Sequence, residues 1–133
     1  MATYTMSEIV EIVGLTASTL RYYESEKLIP KVKRNSSGRR YYSDTDVQWI
    51  LFIKALRNTE MPIEQIKKYV LLFKQGNETI HERKMFIEAH TNKVEKEIEE
   101  KVNNLETLKK KLKYYELMDK RKQRLNRRAF DQT

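Results

Sequence analysis

From Asn77 to the C-terminus the chain contains neither glycine nor proline. Charged residues fill that stretch around a sparse apolar stripe. A heptad frame puts Ile87, Thr91, Val94, Ile98, Lys101, Leu105, Leu108, Leu112 and Tyr115 at successive seam positions, seven of the nine being apolar. One long helix over 77–118 is predicted, roughly 60 Å at about 1.5 Å per residue. Nothing else in the chain offers such a helix a place to bury its seam, so the expected partner is the same helix of a second copy. Lys101 interrupts the seam, which would weaken it or fix its register, with Val102 alongside in partial compensation.

Composition limits the remainder. With 133 residues, 35% charged and 39% hydrophobic, the chain suits one small domain with an elongated extension. Cysteine is absent, which excludes disulfides, thiolate metal sites and thiol redox sensing. No apolar run approaches the length of a membrane span, and MATYTMSEIV lacks the basic flank and apolar stretch of a signal peptide, so a cytoplasmic location without membrane contact is expected.

The formal charge of +8 calls for an anionic partner, and its distribution is informative. Lys and Arg against Asp and Glu number 12 to 8 over residues 1–76, 9 to 9 over 77–118, and 6 to 2 over 119–133. Three segments follow: a domain at 1–76, a neutral coil at 77–118 and a basic tail at 119–133. Residues 20–42 alone hold seven Lys or Arg against two Glu.

Within the first segment, Thr5 and Glu8 have the spacing of a capping box, with Ile9, Ile12 and Val13 sharing one face and Gly14 able to close the helix. Thr16 can cap a second helix running to about Lys27, before Pro30 forbids continuation. The short link between the two suits a helix-turn-helix. KVKRNSSGRRYY, residues 31–42, places turn residues between two strand-like runs and reads as a hairpin with arginines at its tip. Ser43 to Asp46 again looks like a helix start. VQWILFIKAL is apolar enough to be the central core helix. Pro62, suited to a first helical position, opens a fourth helix with Ile63, Ile66, Val70 and Phe73 at helical spacing as far as Gly76.

Arg21, Tyr22 and Tyr23 fit two roles: tyrosines packed in a helical core with the arginine paired to Glu24 or Glu26, or a recognition helix. In the second, arginine can bond guanine bidentately and tyrosine hydroxyls can bond phosphate. The adjoining Arg39, Arg40, Tyr41 and Tyr42 favour the second. KRKQRLNRR at 120–128 is either a solubilising end or a further phosphate contact. His81 and His90 lack ligand spacing, so no metal is expected. No cofactor loop, nucleophile motif or histidine constellation is present, and no enzyme is expected.

TLRYYESEKLIP, carried by Thr19 to Pro30, and the R-x-x-x-G-R-R-Y-Y-S-x-x-D pattern from Arg34 to Asp46 closely resemble the DNA-binding domain of MerR-type transcriptional regulators. MPIEQIKKYV looks like that family's fourth helix, and the long helix is similar to its antiparallel dimerisation coil. The resemblance covers about residues 3–118. It implies a mainly α fold, a winged helix-turn-helix followed by a coiled coil. It also implies a homodimer that binds a near-palindromic site in double-stranded promoter DNA and distorts the spacer so that RNA polymerase can use it.

Carried over by position, Thr16, Arg21 and Tyr22 would sit at the major groove, Thr19 would also contact DNA, and Tyr23 would pack or reach phosphate. Arg39, Arg40 and Tyr42 would serve the first wing, the loop around Thr59 to Met61 would be the second, and Ile87, Val94, Ile98, Leu105, Leu108, Leu112 and Tyr115 would form the dimer seam. Two departures matter. Sensing branches use cysteines near the coil or a large C-terminal domain, so no effector is identified here. The competing class is a dimeric coiled-coil adaptor or architectural protein that touches nucleic acid non-specifically.

Overall fold

The computed structural model describes residues 2–131. Helix α1, Met6–Val13, begins at a complete capping box: the Glu8 N–H donates to Thr5 Oγ1 at 3.2 Å, and the Thr5 N–H donates to Glu8 Oε1 at 3.0 Å. Gly14 ends it in the left-handed region at φ 66°, where a side chain would be strained. Lys54 Nζ donates to Val13 O at 2.8 Å, so a lysine also satisfies the helix end. Ile9 and Val13 are buried, whereas Ile12 is 47% exposed. The expected three-residue apolar face is thus two residues wide.

Helix α2, Ala17–Ser25, starts on Thr16, whose Oγ1 accepts from the Thr19 N–H at 3.1 Å. It stops sooner than the sequence suggests. Lys27 takes φ 60°, and the Leu28 N–H reaches back to Tyr23 O at 2.9 Å, which folds Leu28 and Ile29 into the core before Pro30 is reached. Strands β2 (Lys33–Arg34) and β3 (Arg40–Ser43) form the expected hairpin, pairing Arg34 with Arg40. Asn35 builds its turn, the carboxamide Oδ1 accepting from the Ser37 and Arg39 N–H groups at 3.0 Å each. A third strand, β1 (Thr3–Tyr4), was not anticipated. It lies antiparallel on the other edge of β3, giving the order β1-β3-β2.

Helix α3, Asp44–Asn58, opens with a second capping box between Ser43 and Asp46. It supplies Val47, Ile50, Ile53 and Leu56 to the core, which also holds Ile9, Val13, Leu20, Leu28, Met61 and Ile66. At 25 cal/mol per Å² or so, each of these fully buried aliphatic side chains contributes about 1.5–3 kcal/mol. Helix α4, Ile63–Lys74, has Pro62 as its N-cap in extended conformation, so it begins one residue later than expected. Phe73, expected inward, is 47% exposed.

A single 3-10 turn at Asn77–Thr79 leads into α5, Ile80–Asp131. Gly76 takes φ 87°, ψ −156°, a region essentially restricted to glycine. The buried Thr79 hydroxyl bonds Leu72 O at 2.5 Å, and Arg83 donates both to Thr79 Oγ1 (3.1 Å) and to Gly76 O (3.0 Å). The bend is therefore fixed by two side chains after it, Thr79 and Arg83, bonded back to the backbone of Leu72 and Gly76.

The chain divides into two compact units, Met1–His90 and Thr91–Thr133. The first reaches past residue 76 because the opening turns of α5 pack onto it. Phe86 and Ile87 lie against the core, and His90 Nε2 sits 2.7 Å from Thr59 Oγ1. Residues 119–131 continue α5 without a break rather than forming a separate tail; residues 132–133 lie outside the described range. No helix among the described residues is long and apolar enough to cross a membrane.

Candidate nucleic-acid interface

The two elements singled out for nucleic acid, α2 and the hairpin, line one open concavity with the N-terminal segment. Arg21 from α2 faces it together with Arg34, Arg39 and Arg40 of the hairpin, and Asn35 and Tyr41 complete the hairpin side. Among the described residues no ion pair engages Arg21, Arg34 or Arg39. Three guanidinium groups without an acidic partner therefore project a positive field from one face. Arg34 and Asn35 were not singled out from the sequence. Their signal was the same turn pattern that located the hairpin: Arg34 Nη1 donates to Gly38 O at 2.8 Å, so this side chain both braces the turn and faces the concavity.

Arg40 behaves differently from Arg39. Its Nη1 lies 2.5 Å from Glu24 Oε2, with both side chains about four-fifths buried at 23% and 21% exposure. Glu24 Oε1 also accepts from the Val32 N–H at 3.4 Å. Glu24 thus ties α2 to the start and the end of the hairpin at once. The ion pair holds α2 against the hairpin.

The tyrosines separate along the same lines. Tyr22 is 47% exposed on the outer face of α2, its ring tilted against Tyr23 at 6.3 Å. Tyr23 is buried, and burial raises its phenol pKa above the ordinary 10.0. Tyr42, expected among the wing contacts, is 2% exposed, with its hydroxyl 3.8 Å from Met6 Sδ. Burial likewise raises its pKa, against an opposing pull from Arg40. The pairing of Tyr4 with Tyr42 across β1 and β3 fixes which face of β3 turns inward, and the half-buried Tyr41 falls on the other. Thr16 is exposed at the start of α2 with its hydroxyl 2.9 Å from that of Thr19, so both hydroxyls belong to the cap.

This arrangement of helix-turn-helix, wing and long helix matches known proteins. Residues 4–71, half of the chain, fit the profile described as the MerR HTH family regulatory protein. The chain belongs to the MerR family of HTH regulators. An HTH-type transcriptional regulator of Haemophilus influenzae is 37% identical over 86% of this chain and 84% of that protein. The HTH-type transcriptional regulator AdhR of Bacillus subtilis is 47% identical over 59% of this chain and 56% of its own length. Among solved structures, HiNmlR, a MerR family regulator lacking the sensor domain and bound to promoter DNA, superposes with a TM-score of 0.79. It has 36% identity and covers 86% of this chain and 91% of that one. A MerR family protein from Listeria monocytogenes gives 0.76 at 32% identity over 85% and 86%.

The Haemophilus influenzae and Bacillus subtilis relatives are both transcriptional regulators by name. The MerR-like long helix, α5, carries the remaining residues singled out from the sequence. Ile87 packs on the first unit's core, Val94 is half-buried, and Ile98, Leu105, Leu108, Leu112 and Tyr115 are exposed at 48–67%.

Proposed function

We propose that this MerR-family protein binds an inverted repeat in promoter DNA as a homodimer and controls transcription by distorting the spacer. The observation that carries the reading is the single concavity shared by Arg21 and the wing arginines Arg34 and Arg39, none of them ion-paired among the described residues. A helix end carrying arginine enters a major groove, and a basic hairpin beside it meets the flanking phosphates. Thr16 and Thr19 shape the α2 start, Tyr22 offers its hydroxyl outward, and the buried Tyr23 and Tyr42 hold the surface from behind.

The exposed stripe Ile98, Leu105, Leu108, Leu112 and Tyr115 supports self-association, because a lone helix gains nothing from leaving that much apolar surface in water. Antiparallel pairing with a second copy buries it, Val94 included, and presents two copies of α2 to two half-sites. The relative bound to promoter DNA supports this choice of partner. RNA polymerase then reads the distorted spacer.

Genome-wide occupancy tests the reading. The expected result is a small set of promoter sites, each centred on one inverted repeat between the polymerase hexamers. Broad occupancy following base composition, with no common repeat, would favour a non-specific architectural role and overturn it.

A further inference from the structure

A second cavity of the first unit also borders Arg21. Its volume is about 870 Å³, and it is an open hollow bordered by the end of α2, the segment after it, the start of α3 and the end of α4. That volume is within the range of about 300–1,000 Å³ typical of small-molecule sites. Its lining is mainly apolar. Leu28, Trp49 and Phe73 contribute, with the two rings 4.6 Å apart and tilted by 51°. Trp49 is held by its indole N–H, which donates to Leu28 O at 2.8 Å. A rigid aromatic wall of this kind stacks on flat apolar groups.

Cations dominate the rim. Arg21, Lys31 and Lys74 border the cavity, and no ion pair engages any of them among the described residues. Of the two bordering carboxylates, Glu24 is paired with Arg40, and Asp46, which accepts from the Ser43 N–H at the α3 cap, leaves one negative charge against these three cations. An apolar bowl under an excess of cations selects an organic anion with a flat hydrophobic body. A neutral molecule would leave the cations unused, and a cation would be repelled.

We propose that this cavity is an effector site for aromatic carboxylates or sulfonates of about two fused or linked rings. The ring lies against Trp49 and Phe73, and the acid group meets Lys31, Lys74 or Arg21. Because Arg21 borders both this cavity and the interface concavity, an anion held here draws its guanidinium away from DNA. The binding claim stands by itself; the coupling to DNA rests on the proposed function.

Trp49 is the only tryptophan of the chain, so intrinsic fluorescence reads this cavity directly. The test titrates the full-length protein with 1-anilinonaphthalene-8-sulfonate and, separately, with uncharged N-phenyl-1-naphthylamine, at several protein concentrations. Saturable quenching by the sulfonate at one site per chain is expected. Binding should weaken about tenfold in Lys31→Glu and in Lys74→Glu, the loss of one charge-assisted contact, with the neutral probe little changed.

Equal loss for both probes, or none for either, would overturn the site, as would quenching that never saturates. If the variants fold poorly by circular dichroism, Lys31→Gln and Lys74→Gln serve, with about threefold expected. Sedimentation on the same samples guards against a second copy covering the face. Quenching that follows dissociation of a dimer rather than probe concentration would also overturn the proposal. Should the sulfonate bind as expected yet leave DNA affinity unchanged, the coupling falls and the site stands. Absence of DNA binding without probe would count only against the proposed function.

Discussion

Tyr42 illustrates what decides a side chain's role in this surface. In sequence it adjoins two arginines and looks like a phosphate contact, but β3 turns it into the core while Tyr41 stays at the rim. Tyr42→Phe should therefore leave DNA affinity unchanged and cost less than about 1.5 kcal/mol of stability, the net value of one hydroxyl contact. Tyr42→Ala should cost about 3–5 kcal/mol through the cavity it opens. Urea titrations and DNA binding on the same preparations check both. Arg21→Ala should lose about 1–3 kcal/mol of specific binding if it reads a base, and equal loss on random duplex would reduce it to a phosphate contact.

The same tyrosines set an alkaline limit. Tyr23 and Tyr42 are raised by burial, Tyr4 first by its 2.6 Å hydrogen bond to Asp44, and Lys67 by its bond to Glu26. Each keeps its proton more tightly folded than unfolded. Their stabilisation is complete below the unfolded values of 10.0 and 10.5 and is lost as pH rises through the folded ones. Urea midpoints should fall steadily above pH ~10, and less steeply in Tyr23→Phe.

At the scale of elements, what could be read in advance was whatever depends on neighbours three or four residues away. Both capping boxes, the glycine end of α1 and the Asn35 turn are local chemistry, and each appears where the residues put it. Strand β1 escaped notice because Thr3 and Tyr4 have no local pattern; they are strand only by pairing with Ser43 and Tyr42, some forty residues on. The extension of α5 through the basic segment escaped notice because charge density resembles a solvated tail, although no helix breaker interrupts it. Phe73 was misplaced because 3-4 spacing marks a face without saying how wide the covered part is.

The bend before α5 invites a direct test. Gly76→Ala finds open space around the new methyl, but at φ 87° it should cost about 1–3 kcal/mol from the backbone alone. Thr79→Val should cost a similar amount by leaving Leu72 O and Arg83 short of partners. Thermal melts would register either loss as a fall of several degrees.

Across the whole molecule, two exposed features call for partners of different kinds. The apolar stripe of α5 calls for another copy, and the arginine concavity calls for an anionic polymer. Leu105→Asp with Leu108→Asp should yield monomers by sedimentation and abolish tight binding to an inverted repeat, while single half-sites keep weak affinity. The basic end of α5 adds to the second demand: deleting residues 120–133 should flatten the dependence of log K on log salt. An unchanged slope would assign that segment no phosphate contact.

The central claim is that one dimer reads one promoter sequence. Competition binding between duplex from the most occupied promoter and random duplex of equal length tests it, at fixed salt. A preference of at least about a thousandfold for the promoter duplex, with two chains per duplex, is expected. Equal competition by the two duplexes would contradict it.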